Sequence, residues 1–134
     1  MFKNVLFPID ASPEAQQAAL KAAELAKHHQ SHLILLSVVE SSNGHNAHPE
    51  QTSPEAVAQL LEKAKTVFAS QGIETEAIER EGNPAFVICD VADEMAADLI
   101  VMGCRGIGLT PEGQSESVSA RVINLAPCPV MVVP

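Results

Sequence analysis

The feature that most constrains this sequence is an alternation of short apolar runs with longer segments of helical periodicity. Residues 5–9, 32–39, 99–102 and 130–133 are apolar runs, and residues 73–81 are a more polar run, typical of an edge strand. Helices that connect successive strands make right-handed crossovers and cover both faces of a parallel sheet. We therefore predict one α/β domain over residues 1–134, with an open five-stranded parallel sheet. If strands 1 and 4 are neighbours, the strand order is 3-2-1-4-5.

Helix starts are marked by capping signals. Serine–proline–glutamate combines a cap, a proline at the first helical position and an acid in the first turn, and it occurs at Ser12 and Ser53. An asparagine–proline pair marks a third start at Asn83, and a fourth helix is predicted from about Ser117. The polar residues 40–49 predict a loop on the ligand side of the sheet. The inner face of the second helix is predicted to comprise Val57, Leu60, Leu61, Ala64, Val67 and Phe68, and that of the third Ile88, Val91, Ala92 and Met95.

Composition excludes several classes of partner. The net charge is −9, from 17 acidic residues against 8 Lys and Arg, which opposes binding to nucleic acid or to an anionic membrane. There is no Trp or Tyr to stack on bases. No apolar run approaches the length of a membrane span, and Met1-Phe2-Lys3 leads into a strand rather than a signal peptide. We expect a cytoplasmic protein without nucleic-acid or membrane partners.

Cysteine and histidine residues do not form a recognisable metal-binding pattern. The odd number of cysteines, 3, indicates a reducing compartment. Cys89 and Cys128 are interpreted as core thiols, and Cys104 is the one to test for oxidation. The histidines near the end of the first helix are interpreted as cations that interact favourably with the negative end of the helix dipole. Those in the following loop are interpreted as solvent-exposed side chains. Metal binding is the alternative for both groups. These are His28, His29 and His32, and His45 and His48.

A ligand site is indicated by the stretch from residue 98 to residue 134. A buried strand is followed by Gly103 and Gly106, with Arg105 between them, and then by serines near the start of the last helix. This layout places backbone N–H groups and a helix dipole in front of an anion. An ordinary turn with a serine cap explains the same residues, so both interpretations stay open here. The serines are Ser115, Ser117 and Ser119.

Asp10 supplies a second, independent signal at the same place. It follows the first strand, and open α/β sheets bind ligands at the carboxyl ends of their strands. Its carboxylate is suited to ribose hydroxyls or an adenine amino group, and helix capping is the alternative role. If strands 1 and 4 are neighbours, Asp10 and Gly103 lie on opposite walls of one crevice. The Walker A pattern and the Rossmann glycine fingerprint are both absent from the sequence.

The same residues resemble the signature of the universal stress protein family. Gly103 and Gly106 match its glycine turn, and residues 117–119 match its Ser-Val-Ser step. Residues 126–133, Ala-Pro-Cys-Pro-Val-Met-Val-Val, match its closing segment. Residues 5–10, with the helix that follows, and the Gly-Asn-Pro step at Gly82 are also typical of the family, so the resemblance extends over the whole chain.

This resemblance implies a fold, a ligand and a partner. The fold is Rossmann-like, of the adenine nucleotide alpha hydrolase type, and the cofactor is ATP or AMP, with or without Mg²⁺. The protein is then a stress-response or regulatory homodimer with at most slow ATPase activity. In the family the last strand pairs with its own copy, which implies an interface at Val130, Met131, Val132 and Val133. The implied nucleotide-binding residues are Pro8, Ile9, Asp10, Val38, Met102, Gly103, Arg105, Gly106, Ser115, Ser117, Val118 and Ser119.

Glu116 departs from the family pattern, because ATP-binding members carry a glycine there. A carboxylate about 4 Å from a phosphate charge costs up to roughly 4 kcal/mol at an effective dielectric constant of about 20, and a quarter of that is about a fivefold loss of affinity. A side chain directed to solvent, or a bridging metal ion, removes most of this cost. The alternative function is therefore a homodimeric interaction module that binds no nucleotide, and a phosphoryl-transfer enzyme is the third hypothesis.

Overall fold

The computed structural model describes residues 2–10, 13–39, 53–103 and 118–134, and the structural statements below concern those residues. Strands and helices alternate as predicted, with strand limits within two residues of the expected ones. In chain order the elements are β1 (Asn4–Pro8), α1 (Pro13–His29), β2 (His32–Val39), α2 (Pro54–Ser70), β3 (Thr75–Glu81), α3 (Pro84–Glu94), β4 (Leu99–Gly103), α4 (Val118–Leu125) and β5 (Val130–Val133).

The strands form one parallel sheet with the order β3-β2-β1-β4-β5, which confirms the predicted topology. Side chains of the central strands alternate between two apolar cores, one on each face. Phe7 packs under α1 and α2, where its ring lies 6.1 Å from that of Phe68, and Leu6 packs under α3 and α4. Both faces are covered, so the central strands are continuously apolar rather than alternating.

The predicted caps of α2 and α3 are confirmed. Ser53 Oγ accepts a hydrogen bond from the Ala56 N–H at 3.2 Å, and Asn83 Oδ1 accepts one from the Phe86 N–H at 3.4 Å. The predicted inner face of α2 was wrong at Val67, whose side chain is 46% exposed. The buried residues of this helix are Val57, Leu61 and Phe68. The buried face of α2 is therefore narrower than the periodicity predicted.

Asp98 fixes the start of β1 against the start of β4. Its carboxylate accepts hydrogen bonds from the Lys3 N–H at 2.9 Å and the Asn4 N–H at 3.1 Å. Its own N–H donates to the Asn4 carbonyl at 2.9 Å. Two strands far apart in the chain are therefore locked in register at the amino edge of the sheet, which also sets how their carboxyl ends face each other.

Gly82 joins β3 to α3 in a conformation that other residues rarely adopt. Its φ is +146°, its N–H donates to the Val39 carbonyl at 2.9 Å, and an added Cβ would lie 2.9 Å from Val87 Cγ2. We expect Gly82→Ala to lower the free energy of unfolding by about 1–3 kcal/mol, from backbone strain together with this contact. Urea denaturation measures the loss. Gly72→Ala is the matched control, because Gly72 has φ +79° but open space around its Cβ position; an equal loss in both variants would contradict the role of the Val87 contact.

Candidate functional site

The pairing of β1 with β4 stops before either strand ends. On its other side, β1 pairs with β2 as far as Pro8 opposite Leu36. Within the described residues, the ladder with β4 ends at Leu6 opposite Ile100, and the rest of β4 pairs only with β5. The carboxyl ends of β1 and β4 are thus not paired with each other at the point where the strand order reverses, which is where ligands bind in open α/β sheets.

Pro8 provides the physical reason for this separation. The Ile9 N–H donates to the Leu36 carbonyl of β2 at 2.8 Å. Backbone groups of successive strand residues point to opposite sides, so the nitrogen of Pro8 faces β4. In this register it would be the next donor, with the Val101 carbonyl as acceptor, but proline has no N–H. The ladder therefore ends there, and the sequence analysis, which took Pro8 only as a ligand contact, missed this role.

One wall of the crevice is the segment that follows β1. Ser37, which is buried within β2, donates from Oγ to the Ile9 carbonyl at 3.2 Å. With the Ile9 N–H bonded to β2 as well, both backbone groups of Ile9 are fixed. Asp10 follows directly and is half-buried. Sequence analysis overlooked Ser37, although a lone polar residue within an apolar strand is a signal that could have found it.

The opposite wall is the end of β4, with the start of α4 beyond it. Met102 and Gly103 pair with Val132 and Val133 of β5. The side chains of Met102, Val38 and Val118 all lie in the apolar core under α3 and α4. Val38 and Val118 therefore offer main-chain groups, rather than side chains, to a ligand at this edge. The main-chain groups of Met102, like the Ile100 N–H, face β5. Ser119 is buried in the first turn of α4.

A model of the universal stress protein family matches residues 1–134. The chain belongs to this family. It is 65% identical to the universal stress protein Sll1654 of Synechocystis sp., in an alignment that covers 100% of this chain and 87% of the relative. That degree of identity extends to the whole length of the chain, so the family resemblance predicted from the sequence is confirmed.

Solved structures of the family share the fold. The universal stress protein UspA from Lactobacillus plantarum superposes with a TM-score of 0.83 at 26% identity and covers 99% of this chain and 98% of its own. A universal stress protein solved in complex with cAMP superposes with a TM-score of 0.80 at 23% identity, covering 99% and 97%. The Rossmann-like architecture of this universal stress protein is thereby confirmed.

The structure brings together the eight described residues of the twelve that the family resemblance implied. They lie at the carboxyl ends of β1, β2 and β4 and in the first turn of α4: Pro8, Ile9, Asp10, Val38, Met102, Gly103, Val118 and Ser119. The other four, Arg105, Gly106, Ser115 and Ser117, lie outside the described residues, as do Glu116, Cys104 and the loop at 40–49.

Cys89 and Cys128 do not lie inside the core as expected. Each is half-buried and packs at the margin of the core under α3 and α4. Burial raises the pKa of the Cys89 thiol, with a further rise from Asp90, and it raises the pKa of the Cys128 thiol, with further rises from Asp98 and Cys89. Both thiols are therefore poor nucleophiles at neutral pH, because the thiolate is the reactive form.

The described histidines lie away from the crevice. His28 and His29 end α1, and His32 begins β2, so all three are at the amino edge of the sheet. His32 Nε2 lies 3.8 Å from Glu76 Oε1, and His29 packs edge-on against Phe2. In the described ranges, no three His, Cys, Asp or Glu side chains are grouped to hold a metal ion, and no helix is long and apolar enough to cross a membrane.

Proposed function

We propose that this universal stress protein is a cytoplasmic, homodimeric regulator that binds an adenine nucleotide, ATP or AMP, between β1 and β4. One observation carries the proposal: Pro8 ends the β1–β4 ladder at the strand-order reversal, with Asp10 on one side of the gap and Gly103 on the other. The structure of a family member with cAMP supports the ligand class. An adenine nucleotide fits a half-buried carboxylate next to main-chain groups.

Different parts of the nucleotide contact the two walls of the crevice. The Asp10 carboxylate accepts hydrogen bonds from the ribose hydroxyls or the adenine amino group. Main-chain groups at Val38 contact the adenine, since the Val38 side chain is buried in the core. Gly103 lets the phosphates approach the backbone closely. By the family resemblance, Gly106, Arg105 and the serines of residues 115–119 complete the phosphate site, with or without Mg²⁺.

Any hydrolysis is expected to be slow. The three histidines that the structure describes lie at the opposite edge of the sheet, so none of them is placed to activate water at the crevice. By the family resemblance, we expect nucleotide bound here to be turned over slowly at most. A phosphoryl-transfer enzyme would instead show multiple turnovers of ATP in a phosphate-release assay.

A second candidate function rests on Glu116. A carboxylate in place of the family glycine adds negative charge at the phosphate loop of a chain whose net charge is already −9. If it opposes phosphate, the fold is kept while the nucleotide is excluded. The protein then acts as a homodimeric interaction module.

Calorimetric titration of nucleotide-stripped protein with ATP and AMP, with and without Mg²⁺, tests the two candidates. We expect micromolar binding by the native protein and at least about fivefold tighter ATP binding by Glu116→Gly, because a repulsive charge is removed. Glu116→Gln is the control that removes the charge of residue 116 without giving the backbone the freedom of a glycine.

The outcomes separate the functions. Binding by Glu116→Gly but not by the native protein favours the interaction module. No binding by either protein, with folding intact by circular dichroism, rules out the nucleotide proposal. Equal affinity in both proteins means that the Glu116 side chain does not oppose the phosphates.

The homodimer is proposed through the free edge of β5. This strand is an outer strand of the sheet, and Val130, Val132 and Val133 are half-buried while Met131 is exposed. Among the described residues, no strand pairs with the outer side of β5, and an apolar edge of this kind is a template for another strand. Pairing with β5 of a second copy gives the backbone N–H and C=O groups of both edges hydrogen-bond partners and exposes no new strand edge.

A further inference from the structure

A buried hydroxyl interrupts the apolar run of β2. Ser37 is 4% exposed, and its neighbours on the same face of the strand, Leu35 and Val39, belong to the core under α1 and α2. Burying a hydroxyl in such a core is unfavourable unless it forms a hydrogen bond. The bond that Ser37 Oγ forms is the one it donates to the Ile9 carbonyl at 3.2 Å. Serine at this position therefore serves the segment that follows β1.

The Ile9 carbonyl lies where the next hydrogen bond between β1 and β2 would form. The Ile9 N–H donates to the Leu36 carbonyl at 2.8 Å, so the main-chain groups of Leu36 face β1. Because these groups alternate along a strand, those of Val38 face β1 again, and a continued parallel ladder would join the Val38 N–H to the Ile9 carbonyl. Among the described residues, the pairing of β1 with β2 instead ends at Pro8 opposite Leu36. The Ser37 hydroxyl is therefore the donor to this carbonyl where the ladder stops.

We propose that Ser37 is a positioning residue for the base of the nucleotide. By bonding to the Ile9 carbonyl, its hydroxyl keeps the Val38 N–H out of the ladder with β1. The Val38 C=O points the same way as this N–H. One edge of adenine carries a ring nitrogen that accepts a hydrogen bond beside an amino group that donates one, which is the complement of a backbone N–H and C=O. This inference rests on the proposed nucleotide site and adds the residue that sets its preference for adenine.

The same bond joins the two residues proposed to contact the nucleoside. Ser37 directly precedes Val38, and Ile9 directly precedes Asp10. The bond between Ser37 and Ile9 therefore sets the distance from the main chain that contacts the base to the carboxylate that contacts the ribose. The proposed phosphate contacts begin at Gly103, on the opposite wall. Loss of the Ser37 hydroxyl should therefore weaken adenosine, AMP and ATP binding by the same factor.

Base preference distinguishes this role from a purely structural one. If the hydroxyl only stabilises β2, its removal changes the free energy of unfolding and leaves the choice of base unaltered. Inosine monophosphate (IMP) is the matched probe, because its sugar and phosphate are those of AMP. Its base has an oxygen in place of the amino group and a proton on the neighbouring ring nitrogen, so the order of donor and acceptor is reversed.

Calorimetric titration with AMP and IMP tests the inference, in the native protein or in Glu116→Gly if only that variant binds. Ser37→Thr keeps the hydroxyl and Ser37→Val replaces it by a methyl group, so both variants share the extra bulk. We expect Ser37→Val to weaken AMP binding about five- to tenfold and IMP binding much less, which is the loss expected for one hydrogen bond. Ser37→Thr should keep the native ratio of AMP to IMP affinity. Thermal unfolding checks that both variants are folded.

The outcomes separate this inference from the proposal beneath it. A folded Ser37→Val variant with the native ratio of AMP to IMP affinity overturns the role of Ser37 and leaves the nucleotide site standing. A loss that affects ATP but not adenosine also overturns it, because the defect then lies at the phosphates. If neither the native protein nor Glu116→Gly binds AMP, both the site and the inference are overturned.

Hydrogen exchange in the unsubstituted protein guards against variants that do not fold. Exchange of the Val38 amide, followed by NMR, reports whether this N–H gains a hydrogen bond when the ligand binds. We expect saturating AMP to slow exchange at Val38 at least about tenfold more than at Leu36, which already pairs within the ladder. Equal slowing of the two amides in protein that binds AMP overturns the inference.

Discussion

Replacing Asp10 by alanine is expected to weaken AMP binding about 10- to 100-fold. A hydrogen bond to a charged group contributes about 1.5–3 kcal/mol, and each 1.4 kcal/mol is about a tenfold change in the dissociation constant. The half-buried position of Asp10 shields its carboxylate from bulk water, so the loss is larger than for an exposed pair. Calorimetric titration with AMP measures it, in the native protein or in Glu116→Gly if only that variant binds.

Asp93→Ala is the matched control for this experiment. Asp93 is exposed in the last turn of α3, at the amino edge of the sheet, and its removal changes the net charge by the same amount. Thermal unfolding of both variants checks that the fold is intact. An Asp10→Ala variant that is folded and binds AMP as tightly as Asp93→Ala would exclude Asp10 from the site.

Val132→Lys is expected to convert the dimer to a monomer at micromolar protein concentration. The substitution introduces an ammonium group beside the apolar strand edge in both copies, so each dimer carries the cost twice. A cost of about 1.5 kcal/mol per copy raises the dissociation constant by roughly 100-fold. Analytical ultracentrifugation over a concentration series measures the shift.

Val67→Lys controls for the new charge. Val67 is an exposed valine on α2, which packs on β2 and β3 at the far side of the sheet from β5. We expect this variant to sediment like the native protein. If Val132→Lys does so as well, the interface does not include the β5 edge.

The topology and helix caps were predictable because they depend on short patterns. The apolar run of β2 gave the correct limits, His32 and Val39, since a strand buried on both faces has no polar interruption beyond Ser37. The Ser53 and Asn83 caps depend on a side chain and an N–H three residues later, so they can be identified without any tertiary contact. The strand order was conditional on β1 and β4 being neighbours, and the structure shows that they are.

Tertiary packing decided the features that were missed. Val67 has the right periodicity for the inner face of α2, but packing buries only Val57, Leu61 and Phe68 of this helix and leaves Val67 exposed. Cys128 was expected in the core, yet it lies at a core margin, where its position depends on both α3 and α4. The effect of Pro8 requires knowing that its nitrogen faces β4 rather than β2, and this follows from the register of two ladders.

The candidate site was predictable only as a set of main-chain positions. The family resemblance implied Val38 and Met102 as ligand contacts, which stays a prediction, and their apolar side chains gave no chemical reason for the choice. For Val38 the structure supplies one, because its side chain is anchored in the core and its backbone lies at the carboxyl end of β2. Asp10 alone among the described residues combines a charged side chain with this position at the end of β1.

The packing of α1 has a consequence for synthesis on the ribosome. This helix follows β1 directly, but it packs on β4 and β5 as well as on β1. A nascent chain therefore exposes the alanine-lined face of α1 and one edge of the central strand until about three quarters of its length has emerged. Residues such as Ala18 and Ala22 are small enough to limit the apolar surface shown during that interval. We therefore expect the nascent chain to be most prone to aggregation before β4 has emerged, at β1, whose residues Val5 and Leu6 are fully buried in the finished molecule.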